Sequence, residues 1–318
     1  MRRFIGPGEA WSFVTALSYT TVNILLRAAA VEIDPWVGSL LRQAPVAFLA
    51  WGVVMASERP VLTPGHERFL GWRLIGALAV AGFISFVAGN VLFFGGLANA
   101  GLGAAAAGAQ GGVVLAGALG AALLLSERPN RFGWLGIAII VAGLGAIALA
   151  QGTPGAGWLL GLGLALGAGA SYAVANLVTR VVQRRRALLF VTLAISSLGG
   201  FGALLAIQLI RSPADPLMGT DPGTVLVVLV AGGVNALALV GIVQSLRHLS
   251  VAASSSIQSA TVVFSFLGAI VIFGESAAPL MVGGVVAVAV GIVAAQLRRA
   301  APVSPEPTVT PRSGPVAS

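Results

Sequence analysis

Hydrophobic residues run along this chain in long unbroken stretches, without the strict alternation of a half-buried strand or the narrow stripe of a surface helix. Apolar segments fall near 10–30, 36–56, 73–95, 101–125, 132–150, 157–179, 188–209, 224–246, 251–273 and 279–297. Charged residues, prolines and glycines punctuate them. The hydrocarbon core of a bilayer is about 30 Å thick and is crossed by about 20 apolar residues in a helix. Each segment has about that length, so the pattern predicts ten transmembrane helices. The segments 73–95 and 101–125 are joined by the uncharged stretch Gly96-Leu97-Ala98-Asn99-Ala100, and only their combined length of about 50 residues requires a break there.

The polar positions set an orientation. All 18 basic residues are arginines. With the N-terminus in the cytoplasm, only Arg27, Arg42 and Arg211 fall on the far side, as the positive-inside rule demands. The expectation is a multi-pass protein of the plasma (inner) membrane with both termini cytoplasmic. Met1-Arg2-Arg3 resembles the start of a signal peptide, but the apolar run behind it is too long and ends near Arg27, so it reads as an uncleaved first helix. The tail 300–318, with prolines at 302, 305, 307, 311 and 315, reads as disordered.

Composition adds exclusions. Only 9% of residues are charged and 57% are hydrophobic, against about 25% charged in soluble proteins, so the solvent for most of the chain is lipid. Many of the 43 glycines lie inside apolar runs, where they allow membrane helices to approach closely. Cysteine is absent and histidine occurs only at His66 and His248, so no disulfide, thiol chemistry or metal site is expected. No Walker loop, HExxH or Ser/His/Asp constellation is present. Nothing implies a cofactor or catalysis. The arginines sit at the ends of apolar runs, which argues for topology-setting charge and against nucleic-acid binding.

An internal repeat emerges from the polar residues. Ser18, Tyr19, Asn23 and Arg27 match Ser171, Tyr172, Asn176 and Arg180 without a gap. Further on, Gln110, Gly120, Glu127, Gly136 and Gly143 match Gln258, Gly268, Glu275, Gly284 and Gly291. The halves are 1–152 and 153–299, with five helices each. Five is odd, so the second half enters the membrane from the opposite face. That is an inverted-topology repeat, which places a substrate site near the midplane between the halves.

With the ten-span layout, the Tyr-to-Arg pattern of the first and sixth helices and the segments 101–129 and 249–276, the chain resembles the EamA-like exporters of the drug/metabolite transporter superfamily over residues 10–297. In those two segments an apolar helix ends at a Gly-Glu-type turn. Gly274-Glu275 keeps that pattern, while Ser126 stands before Glu127 where glycine is usual. The resemblance implies transport of small metabolites, often export of amino acids or similar solutes.

Within this frame, polar groups in apolar helices face protein or a water-filled cavity. Tyr19, Asn23 and Arg27, spaced by four, share one helical stripe, as do Tyr172, Asn176 and Arg180. Tyr19, Asn23, Tyr172, Asn176, Asn90, Gln110, Asn235 and Gln258 are the candidate substrate-binding residues, with Asn235 the best midplane candidate. For most of them helix bridging is an equally valid account. The Gly108/Gly112 pair beside Gln110 favours close helix contact there. Glu127 and Glu275 end helices against the macrodipole. Each calls for a partner at the next helix N-terminus or at an arginine such as Arg128 or Arg131. Arg42 opens the second helix, where acids at Glu32 and Asp34 can neutralise it; snorkelling to the interface explains it, and attraction of an anionic group such as a substrate carboxylate is the alternative. With arginines only at span edges, the solute is expected to be neutral, zwitterionic or lipophilic. The expected partners are a small-molecule substrate and the lipid bilayer, and a homodimer is compatible with the layout. The competing readings are an intramembrane lipid-handling protein, which needs a nucleophile, metal or acid pair at depth, and a non-transporting scaffold, which needs no mirrored polar stripes.

Overall fold

The computed structural model of the chain describes residues 6–124, 130–150, 156–183, 187–246, 248 and 257–296. Glu127, Arg128, the arginines at 184–186 and the tail 300–318 lie outside these residues, as does the side chain of Arg180. Among the described residues the structure is helical throughout, with no strand.

The helices are α1 (Pro7–Ala29), α2 (Pro35–Val53), α3 (Trp72–Gly82), α4 (Asn90–Leu124), α5 (Arg131–Leu149), α6 (Ala156–Gln183), α7 (Leu189–Arg211), α8 (Pro222–Leu246), α9 (Ala260–Phe273) and α10 (Pro279–Gln296). Their starts follow from local chemistry. Pro7 and Pro35 occupy first turns, where the missing N–H costs nothing. Asp34 accepts from the Trp36 and Val37 N–H groups, and Asn130 from that of Gly133. At the end of α9, Gly274 adopts left-handed backbone (φ 62°). The N–H groups of Gly274 and Glu275 then close on the carbonyls of Ile270 and Ala269.

Six helical stretches are long and apolar enough to cross a membrane: Pro35–Leu62, Trp72–Gly120, Arg131–Leu149, Ala156–Thr179, Leu189–Arg211 and Pro222–Ile242. Ala260–Phe273 and Pro279–Ala295 are shorter and equally apolar. The 49-residue stretch from Trp72 is not one rod. A π-helical segment, Phe83–Gly89, joins α3 to α4, and α4 is broken at Gly101 (φ 79°, ψ 175°). The break required by length therefore falls one residue beyond the stretch 96–100.

Large apolar side chains such as Phe48, Leu123, Ile210 and Val271 stand exposed on the outside. Many buried polar groups, among them Ser12, Thr15, Asn23, Ser39, Arg42 and Gln43, lie inside. That inversion suits a lipid solvent. Extensive packing joins α4 to α6, α5 to α10 and α1 to α8. Glycines make α5 and α10 nearly touch. A Cβ on Gly143 would lie 2.7 Å from the Gly284 carbonyl oxygen, and one on Gly284 would lie 2.7 Å from that of Gly143. Gly136 and Gly291 face each other in the same way, at 2.6 and 2.8 Å. Gly108 and Gly112 likewise bring α4 against Leu162, Ala165 and Leu166 of α6, the close contact their spacing predicts.

Candidate functional site

The interior of the bundle holds a cavity of about 370 Å³. All eight candidate residues border it: Tyr19 and Asn23 from α1, Asn90 and Gln110 from α4, Tyr172 and Asn176 from α6, Asn235 from α8, and Gln258 just before α9. These positions span both halves of the chain. Asn90 and Asn235 are buried, whereas Asn176 is exposed.

The side chains divide by what already holds them. Asn23 donates from Nδ2 to Ser265 Oγ of α9 at 3.1 Å, and so bridges two helices while bordering the cavity. Tyr172 donates its hydroxyl to Asn90 Oδ1 at 2.9 Å. Gly89 gives Tyr172 room, since a Cβ there would lie 2.7 Å from the ring. Tyr19, Asn235, Gln110 and Asn176 have no hydrogen-bond partner among the described residues, which leaves their polar ends available to a solute. The π-helical segment before Asn90 adds Ser85 and Phe86 to the wall. Such bulges are frequent at functional sites, and nothing in the residue pattern announces this one.

Arg42 differs from its expected role. It lies seven residues into α2, or about 10 Å along the helix, with 7% of its surface exposed, and it borders the cavity. It does not snorkel. Its Nη1 donates to Asn90 Oδ1 at 3.2 Å, and its guanidinium carbon stands 5.8 Å from the centre of the Phe93 ring. The acids expected to neutralise it are engaged elsewhere. Asp34 receives both arms of Arg211 at 3.0 and 3.2 Å, and Glu32 accepts from the Thr224 hydroxyl. Partial burial would push the Asp34 carboxyl up. The Arg211 guanidinium and the N–H groups of Val37 and Trp36 outweigh it and hold the group below its ordinary value. Gln43, next to Arg42, also borders the cavity. No sequence feature separates these two from interfacial residues, since an arginine a third of the way along an apolar span can still reach the interface through its long stem.

Arg27 leaves the stripe it shares with Tyr19 and Asn23. It pairs with Glu275 at 3.2 Å and lies over the Phe273 ring. Glu275 Oε1 also accepts from the Leu102 N–H at 2.7 Å, and Oε2 accepts from that of Gly103 at 3.1 Å. The partner expected for Glu275 was the next helix N-terminus or an arginine near position 130. Its actual partners are Arg27 and the helix N-terminus created by the break at Gly101. An anion there satisfies free first-turn donors and complements the dipole. Among the described residues no group of three His, Cys, Asp or Glu is placed to hold a metal, and no described carboxylate borders the cavity.

No family model matches the chain. No curated protein matches it. Among solved structures, one crystal structure of a protein superposes with a TM-score of 0.59, at 17% identity, over 91% of this chain and 97% of that one. At that identity the likeness is one of fold, and it extends over almost the full length of both chains.

Proposed function

We propose that this protein is a secondary transporter that exports small metabolites across the plasma membrane by alternating access. One observation carries the reading: a cavity of about 370 Å³ lined by polar side chains of both halves, inside a bundle whose outer surface is apolar. A volume in the range of 300–1,000 Å³ suits a small organic ligand. A scaffold has no use for such a space. A lipid-handling enzyme calls for a reactive group, and the described residues of the walls offer amides, hydroxyls and one guanidinium.

In this reading the chain crosses the membrane ten times, as two inverted repeats of five helices, and both termini are cytoplasmic. The reciprocal contacts of α5 and α10 support it. Gly136 and Gly284 are repeat partners, as are Gly143 and Gly291. The contact of Gly136 with Gly291 is thus repeated by that of Gly284 with Gly143. Self-complementary pairing of that kind is the mark of a two-fold axis. The resemblance to EamA-like exporters points the same way. Inverted repeats supply two nearly equivalent packings, one open to each side. Coupling through a central carboxylate is disfavoured, which leaves uniport or coupling through tyrosine and water. The test is uptake by proteoliposomes of a metabolite panel, with and without a pH gradient. Accumulation of at least one solute above protein-free vesicles is expected, and none across the panel would count against transport.

A further inference from the structure

The cavity carries a charge that no described carboxylate on its walls balances. Arg42 is its one cation among the described lining residues, and no described carboxylate faces it. A cation this deep in a membrane protein is expensive, and such residues pair with an opposite charge or line a pathway. Here the side chains that meet the Arg42 guanidinium among the described residues, Asn90 and the Tyr172 hydroxyl, are both neutral.

Two further donors point the same way. Asn90 Oδ1 already receives Arg42 and Tyr172, so the orientation of this amide is set by its donors, and Nδ2 is the free end. Among the described residues that nitrogen has no partner, and neither does Gln43 Nε2. Both residues are at most 2% exposed. A guanidinium has five N–H donors, of which Asn90 takes one and the Tyr172 hydroxyl another. The wall therefore offers a surplus of buried donors around one positive charge. A buried donor left unmade is costly, and water or a solute must supply the acceptors.

We infer that Arg42, Gln43 and Asn90 form the recognition site for an organic monoanion bearing a carboxylate and no ammonium group. The planar fork of arginine matches the two oxygens of a carboxylate. A single cation does not balance a dianionic phosphate. A zwitterion would bring an ammonium into a space where no described carboxylate receives it. Phe93, Val113 and Leu239 on the same walls suit an apolar body. This narrows the solute class expected from edge arginines alone. It rests on the transporter reading for the movement of the solute, though not for its binding.

The experiment separates the two. The full-length protein in detergent is titrated with 3-phenylpropionate, 3-phenylpropanamide and phenylalanine, and with hexanoate, hexanamide and norleucine. Binding is read by equilibrium dialysis and by the shift in Tm. In at least one set the carboxylate is expected to bind about tenfold or more tighter than the amide and the amino acid. Arg42→Gln removes the preference. Because that change can also cost folding, Asn90→Asp is the second variant. It is nearly isosteric, keeps the acceptor for Arg42 and Tyr172, and places a fixed carboxylate on the guanidinium. It is expected to weaken carboxylate binding about tenfold more than amide binding, so that the preference for the carboxylate is lost. Equal binding of amide or amino acid, no binding in either set, or an undiminished preference in Asn90→Asp overturns the inference. Uptake of the same solutes by proteoliposomes then isolates the transport reading. Binding of the carboxylate without uptake counts against transport alone, and uptake of the amino acid without the carboxylate counts against the site alone.

Discussion

Tyr19 and Asn235 border the cavity with no hydrogen-bond partner among the described residues, while Asn23 spends its amide on Ser265. The three residues should therefore answer differently to substitution. Tyr19→Phe and Asn235→Ala are expected to weaken solute affinity three- to tenfold, the loss of one hydrogen bond of about 0.5–1.5 kcal/mol, at unchanged Tm. Asn23→Ala is expected to lower stability by about 1 kcal/mol, seen as a lower Tm in detergent. An unchanged affinity with a lowered Tm in Tyr19→Phe would show that Tyr19 is helix glue after all. Asp34 offers a pH test outside the apolar spans. Its folded carboxyl sits below its ordinary value, so the stabilisation it contributes is present above the unfolded value of about 3.9 and is lost as pH falls through the folded one. Asp34→Asn retains a capping oxygen but not the charge for Arg211. The variant should melt below wild type at neutral pH, and the gap should close as the pH drops under about 3.9. A gap that persists in acid would assign the effect to the cap.

At the scale of elements, the break in α4 and the end of α9 are one construction. Gly101 (φ 79°, ψ 175°) takes a backbone conformation essentially confined to glycine, which an L-residue reaches only at a cost of about 1–3 kcal/mol. A Cβ there would also sit 2.6 Å from Glu275 Oε1. Gly101→Ala should therefore destabilise by at least that cost, measured as a lower Tm. Glu275→Gln leaves an acceptor for the Leu102 N–H but no charge for Arg27. It is expected to reduce stability while leaving any pH-dependence of uptake unaltered. Loss of that pH-dependence at a normal protein level would instead make Glu275 a coupling residue. That Glu275 needed a partner was legible from its place at a helix end. Which partner it found was not, because Arg27 and Leu102 come to it from 248 and 173 residues away.

For the whole molecule, the arginine distribution makes an orientation testable without further structure. The chain has no cysteine, so a single cysteine placed at position 184 reports its side directly. An impermeant thiol reagent should label it in inverted vesicles and not in intact cells. Labelling from outside would sink the ten-span orientation. The reciprocal glycines give a second test at this scale. Gly143→Leu and Gly284→Leu push on the same α5–α10 contact from its two sides, so each should destabilise and the double variant should fall short of the sum.

Hydrophobic run length, charge placement and the repeated Tyr, Asn, Gln and Gly positions are local quantities, and the sequence by itself determined what depends on them. These are helices matched to a lipid solvent, a break expected in the stretch 96–100 and found one residue beyond it, and a set of polar residues obliged to face inward. Inward was as far as that argument reached. Whether an inward amide meets a neighbouring helix or an open space depends on which helices pack together, and the sum of many weak long-range contacts decides that. Only the tertiary structure could separate Asn23, held by Ser265, from Asn235, left open. It also decided the fate of Arg42. From position alone an arginine one-third along an apolar helix can reach back to the interface, because its stem is long. Here α4 brings Asn90 and Phe93 against its head, and α7 takes Asp34 away from it through Arg211. The charge that sets the character of the cavity is thus fixed by neighbours 48 and more residues distant, where no pattern along the chain could register it.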